Sequence, residues 1–202
     1  MVVQARVRAK ERWLLFNRLN AVAFVCKIYP KIKMKGMFWN SDGLGDTAKH
    51  LTITESVRDN KLDFVVLSET GRSNFATPFL NKVSGRLQYE WYYLPPHGRS
   101  GGILIRVNST TLAVQNMVAG DFCVKLHVKS KADGFAWALV AFYGADQEEF
   151  KPNFLSELVC ICDAETLPIL VGGDFNLIRR QEEKNNDRFN ARWPLVFYAC
   201  CD

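Results

Sequence analysis

The run LPILV at 167–171, followed at once by Gly172, Gly173, Asp174, Phe175 and Asn176, most narrows what this chain can fold into. Apolar residues without alternation suit a strand buried on both faces, which demands a layer above it and another below. A carboxylate and a carboxamide then stand two residues apart at the mouth of that strand. The same handover recurs along the chain. Met37, Phe38 and Trp39 give way to Asn40 and Asp42, the run at 63–67 to Ser68 and Glu69, and the run at 135–142 to Tyr143. A polar residue leaving a strand is ordinarily a turn former. Four such ends on neighbouring strands would instead place Asn40, Asp42, Glu69, Asp174 and Asn176 around one crevice on a rigid platform.

The segments between these runs point to a mixed α/β chain in which strands outnumber helices. Asp46 or Thr47 can cap a helix reaching about Asn60, with Leu51, Val57 and Leu62 on its apolar side. Residues 122–130 alternate, so Val124, Leu126 and Val128 share one face while Lys125, His127 and Lys129 share the other, with His127 expected to face solvent. Residues 151–165 read as an amphipathic helix carrying Phe154, Leu155, Leu158, Val159 and Cys162. Residues 13–29 read as a short apolar helix without an evident partner. Gly172 and Gly173 are expected to let the backbone approach a substrate closely.

Carboxylates and carboxamides without histidine or cysteine are hard oxygen donors, suited to Mg²⁺ (or Mn²⁺) and not to zinc. The six cysteines form no CxxC pair and show no zinc spacing, which favours reduced thiols inside a cell. No apolar run approaches membrane-spanning length, so no membrane partner is expected, and no protein partner can be inferred. A metal on one or two carboxylates, beside a spare carboxylate that handles water, fits hydrolysis of a phosphodiester or a phosphomonoester.

Charge is placed unevenly. Residues 1–35 hold nine Lys/Arg and one acid (net +8); of the chain's 26 bases and 21 acids that leaves seventeen against twenty (net −3). A basic, acid-poor arm can grip nucleic acid through phosphates or act as an organelle-targeting leader.

The blocks FWNSDGL, VVLSET, GRSGG, FYG and VGGDFN occur in that order. Together they resemble the endonuclease/exonuclease/phosphatase superfamily, the apurinic-endonuclease and DNase-I-like enzymes. Their nearest likeness is to the endonuclease domain of plant LINE-type non-LTR retrotransposons. The resemblance implies an α/β (α+β) fold: a four-layer α/β sandwich of DNase-I-like type over 36–202, incomplete at the C-terminus, after a basic extension, poorly ordered or a lone helix, at 1–35. It also implies roles. Glu69 would be the principal Mg²⁺ ligand, with Asn40 and Asp42 assisting. Asp174 would orient or activate water, Asn176 would bind a phosphate oxygen, and Tyr143 would hold the scissile phosphate. Arg99, Ser100, Gly101 and Gly102 would form a mainly structural turn with a phosphate contact at Ser100.

The family completes its site with a Ser-Asp-His block, and no such block occurs in these 202 residues. His50, His97 and His127 are poor substitutes. The expectation is therefore a DNA-directed, Mg²⁺-dependent endonuclease domain that is truncated and weak or inactive. The alternatives are a phosphomonoesterase of the same fold and a non-catalytic nucleic-acid-binding or inert fragment. A DNA substrate would imply the nucleus; the basic start leaves an organelle open.

Overall fold

The structure, a computed structural model, describes residues 3–4, 16–17, 22–26, 34–84, 88–96 and 101–177. Eleven strands among these residues form two sheets. The first contains β1 (Val3–Gln4), β4 (Lys35–Asn40), β5 (Phe64–Ser68), β7 (Ile103–Asn108) and β6 (Tyr89–Leu94), side by side in that order. The second runs β2 (Phe16–Asn17), β3 (Val22–Cys26), β11 (Ile169–Asp174), β10 (Ala136–Tyr143), β9 (Cys123–Ser130) and β8 (Leu112–Ala119). The pairs β4–β5 and β10–β11 are parallel, and the other pairs are antiparallel.

Why the runs lack alternation is visible in what each face meets. Along β5, Phe64 and Val66 point between the sheets, while Val65 and Leu67 point outward to the helices α1 (Thr47–Asn60) and α2 (Thr77–Ser84). Along β10, Trp137, Leu139 and Ala141 point inward, and Ala138, Val140 and Phe142 lie under α3 (Lys151–Ala164). Both faces are dry, so both demand apolar residues, and each fully buried large side chain stabilises the fold by about 1.5–3 kcal/mol. The layers are therefore helix, sheet, sheet, helix: the four-layer α/β sandwich expected from the sequence. Among the described residues no helix is long and apolar enough to cross a membrane.

Local signals explain the helix ends. Asp46 caps α1 by accepting the Ala48 amide at 2.8 Å, and Lys61 closes it in the left-handed region. The buried residues of α1 are Ile53 and Val57, whereas Leu51 is 59% exposed. Leu51 was expected on the apolar side, but a step of two residues from Ile53 is about 200° around a helix and turns it to solvent. The helix expected at 13–29 is also not found where that stretch is described. Phe16–Asn17 and Val22–Cys26 are strands, and the second pairs with β11 from Gly173 to Ile169. β11 would otherwise present an open edge, and the apolar run VAFVC closes it.

Candidate active site

The parallel pairings bring four strand ends to one side of the sandwich. Asn40 ends β4 opposite Ser68, the last residue of β5, and Tyr143 ends β10 opposite Asp174, the last of β11. The two sheets meet there through side chains. Asn40 Nδ2 donates to Asp174 Oδ2 at 2.5 Å. Asn40 Oδ1 accepts the Asp42 amide at 3.0 Å, and Asp174 Oδ1 accepts the Asn176 amide at 3.0 Å. Asn176 Nδ2 donates to the Gly144 carbonyl at 2.8 Å, and the Asn176 side chain also hydrogen-bonds the Tyr143 hydroxyl.

Backbone conformation singles out the same residues. Among the described residues, four without a glycine's freedom have positive φ: Asp42 (44°), Glu69 (56°), Asn176 (49°) and Lys61, the cap of α1. The left-handed region is uncommon for a glutamate and costs roughly 1–2 kcal/mol. Such strain is held where surrounding structure over-determines it, often at a functional site. Here the clamp is visible: the Gly43 amide donates to the Glu69 carbonyl at 2.7 Å, while Thr70 and Gly71 donate to Gly102 and Gly101. Gly101 and Gly102 are both at positive φ, and Arg99 and Ser100 lie outside the described residues.

The electrostatics follow from burial. Asp174 is half-buried, which raises its carboxyl above the usual range against the opposing pull of the Asn176 amide and Asn40. Burial also pushes the Tyr143 hydroxyl up to about 12; the Asn176 hydrogen bond opposes this, and Glu69, Asp174 and Asp146 add to it. Tyr143 is therefore a protonated donor at neutral pH. No described residue donates to the Glu69 carboxylate, which is half-buried at the end of β5. Among the described residues no three His, Cys, Asp or Glu side chains form a ready-made metal cage. Glu69 follows Ser68, the residue that pairs with Asn40 across β4 and β5, and the oxygen donors of Glu69, Asn40 and Asp42 are of the type that suits a hard cation keeping most of its waters.

Several contributors carried no sequence signal. Lys49 Nζ braces the loop bearing Asp42 through the carbonyls of Ser41, Asp42 and Gly43, at 2.7, 2.7 and 3.2 Å. Lys151, buried at the start of α3, reaches the Asn176 carbonyl at 3.3 Å. Next to Tyr143 a cleft of about 140 Å³ opens between the ends of β6 and β7 and the loop after β10.

Two expectations need correction. A Cβ on Gly172 would lie 2.5 Å from the Phe38 ring in the other sheet, and one on Gly173 would lie 1.9 Å from the Phe142 carbonyl oxygen. Gly172 lets the two sheets close on each other, and Gly173 lets β11 lie close against β10 within its own sheet; the close approach at both is to the protein's own atoms. His127 is half-buried, its side chain 29% exposed, and it is tied to a partner instead of pointing freely to solvent. Its Nε2 lies 2.8 Å from Glu165 Oε2, which also takes Lys125 Nζ at 3.0 Å. His50 Nε2 bonds the Leu44 carbonyl at 3.0 Å, and His97 lies outside the described residues. Neither His50 nor His127 bonds to Asp174.

A family model described as the Endonuclease/Exonuclease/phosphatase family matches residues 37–199. The chain belongs to that family. No curated protein matches it in sequence. Similar solved structures carry the same fold at low identity. The 3′ phosphatase NExo from Neisseria, bound to a product DNA hairpin, is 14% identical with a TM-score of 0.59, over 83% of this chain and 71% of its own. An AP endonuclease from Archaeoglobus fulgidus is 15% identical with a TM-score of 0.58, over 82% and 68%. The human Nocturnin catalytic domain is 15% identical with a TM-score of 0.55, over 73% and 65%. This family member thus spans about two thirds of the length of each of these structures.

Proposed function

We propose that this family member hydrolyses phosphodiester bonds in DNA with Mg²⁺ (or Mn²⁺), as a retroelement-type nicking endonuclease of low activity. The observation that carries the reading is the Asn40–Asp174–Asn176 network, which joins the ends of β4 and β11 across the two sheets beside a Glu69 carboxylate with no described donor. Asp174 Oδ1 and Oδ2 are fixed by the Asn176 amide and Asn40, so the carboxylate is aimed before substrate arrives. Burial makes it a stronger base than an exposed aspartate, suited to taking the proton of an attacking water. Tyr143 Oη, protonated, donates to a phosphate oxygen. Asn176 spends one N–H on Gly144 and ties Tyr143 to Asp174. Glu69, Asn40 and Asp42 would hold the cation, which when bound supplies positive charge against the charge developing on the phosphate.

The order of the five sequence blocks supports a LINE-type DNA endonuclease. Low activity is expected because, among the described residues, neither histidine, His50 or His127, reaches the Asp174 carboxylate. The test is nicking of supercoiled plasmid with Mg²⁺, beside the Glu69→Gln variant and a phosphate-release screen on phosphomonoesters. Slow nicking lost in the variant is the expected result. Phosphate release without nicking would move the assignment to a phosphomonoesterase, and nicking unaffected by the substitution would overturn the site.

A further inference from the structure

Tyr143 forms one side of the cleft between the ends of β6 and β7 and the loop after β10; the remaining side chains that line it play no part in the chemistry above, and they are unusual for a site that meets a polyanion. Gly101, Gly102 and Gly144 give it backbone walls without side chains. Phe122 and Phe150 supply aromatic surface, and Phe150 is left 45% exposed at the start of α3. The charged groups are Asp121 and Asp146, both exposed, and no described cation pairs with either carboxylate. A phosphate entering here would meet two unpaired carboxylates, with Glu69 and Asp174 close enough to act on Tyr143 as well. A strand whose phosphate sits at Tyr143 must therefore turn its neutral part, not its backbone, into this cleft. Narrow, mostly apolar pockets with a few polar groups suit flat ligands, and an exposed phenyl ring offers a stacking face. Carboxylates at the edge accept N–H donors.

We infer that this cleft seats the nucleobase next to the phosphate under attack, stacked on Phe150, with Asp121 and Asp146 excluding the backbone and accepting base N–H groups. This rests on the DNA reading above but is tested without hydrolysis. The full chain, in EDTA so that nothing is cut, is titrated against fluorescein-labelled pentadeoxynucleotides in which one base at a time is replaced by an abasic spacer. The expected result is a roughly tenfold weakening at one position, since base–aromatic stacking is of that order. Phe150→Ala abolishes that penalty, and Phe150→Trp retains it. Phe150 is exposed, so both variants should keep the wild-type circular dichroism spectrum. Equal affinity for every abasic oligonucleotide, no binding at all, or a positional penalty that survives in Phe150→Ala each overturns the inference. A chain that shows the penalty yet never nicks plasmid defeats the proposed reaction alone; nicking without the penalty defeats the cleft alone.

Discussion

Asn40→Ala removes the Asn40–Asp174 hydrogen bond together with the acceptor of the Asp42 amide. The bond is charge-assisted, part-buried and 2.5 Å long, and bonds of that kind contribute about 1.5–3 kcal/mol. Losing it selectively weakens the ionised form of Asp174. The carboxyl should therefore move further up. The sign for stability follows. Asp174 already sits above its unfolded value, so its ionisation costs the fold, and that cost is absent in acid and grows as pH rises through the folded pKa. Asn40→Ala enlarges the cost, and its destabilisation should be larger at pH 8 than at pH 4. Two readouts are needed: the Asp174 carboxyl titration followed by ¹³C NMR, and urea unfolding at both pH values. The acid limb of any nicking activity should move upward with the titration. An unmoved carboxyl, or equal destabilisation at both pH values, would show that Asn40 does not hold the Asp174 carboxylate.

Other perturbations test other parts of the structure. Glu165 is 5% exposed, and burial alone would raise its carboxyl; Leu167 N–H, His127 and Lys125 outweigh this and hold it down at about 2. Its contribution is therefore present above the ordinary glutamate range and lost as pH falls toward 2, so Glu165→Gln should cost about 1–2 kcal/mol at pH 7, allowing for partly exposed partners, and nearly nothing in acid. Chemical denaturation at both pH values reads this directly. Gly172→Ala places a methyl against the Phe38 ring and should cost about 1–3 kcal/mol in thermal unfolding. Glu69→Gly relieves a left-handed glutamate that has no described donor to its carboxylate. It should leave stability unchanged or raise it by up to about 1 kcal/mol while abolishing nicking, and a marked loss of stability would contradict the strain argument.

The strand ends were readable because double-faced burial leaves an unbroken apolar run, and the break in that run marks where the polar group begins. That logic located the ends of four strands at Asn40, Ser68, Tyr143 and Asp174; that they lie in two parallel pairs came only with the sheet topology. It failed where a residue's role depends on a partner far along the chain. VAFVC at 22–26 could be helix or strand until β11 is seen beside it. Gly172 could serve a substrate or a packing contact until Phe38 is placed opposite. His127 shares the lysine face of its strand, but that face is where Glu165 arrives from the end of α3. β8 carries Gln115 and Asn116 with an irregularity between Val114 and Asn116 on the border of its sheet, so its alternation is broken. α2 spans only eight residues, about two turns, too short for its periodicity to stand out in the sequence.

Phe38 resting on Gly172 fixes how far apart the two sheets stand, a few residues below the bond that joins Asn40 to Asp174. The proposed catalytic groups are thus mounted on separate halves of the sandwich, and their alignment measures the gap between those halves. A core substitution that widens the gap by a fraction of an ångström would leave the molecule folded and its carboxylate misaimed. In this architecture inactivation should run ahead of unfolding, and variants with native melting curves but no turnover should map to the interior between the sheets as often as to the crevice itself.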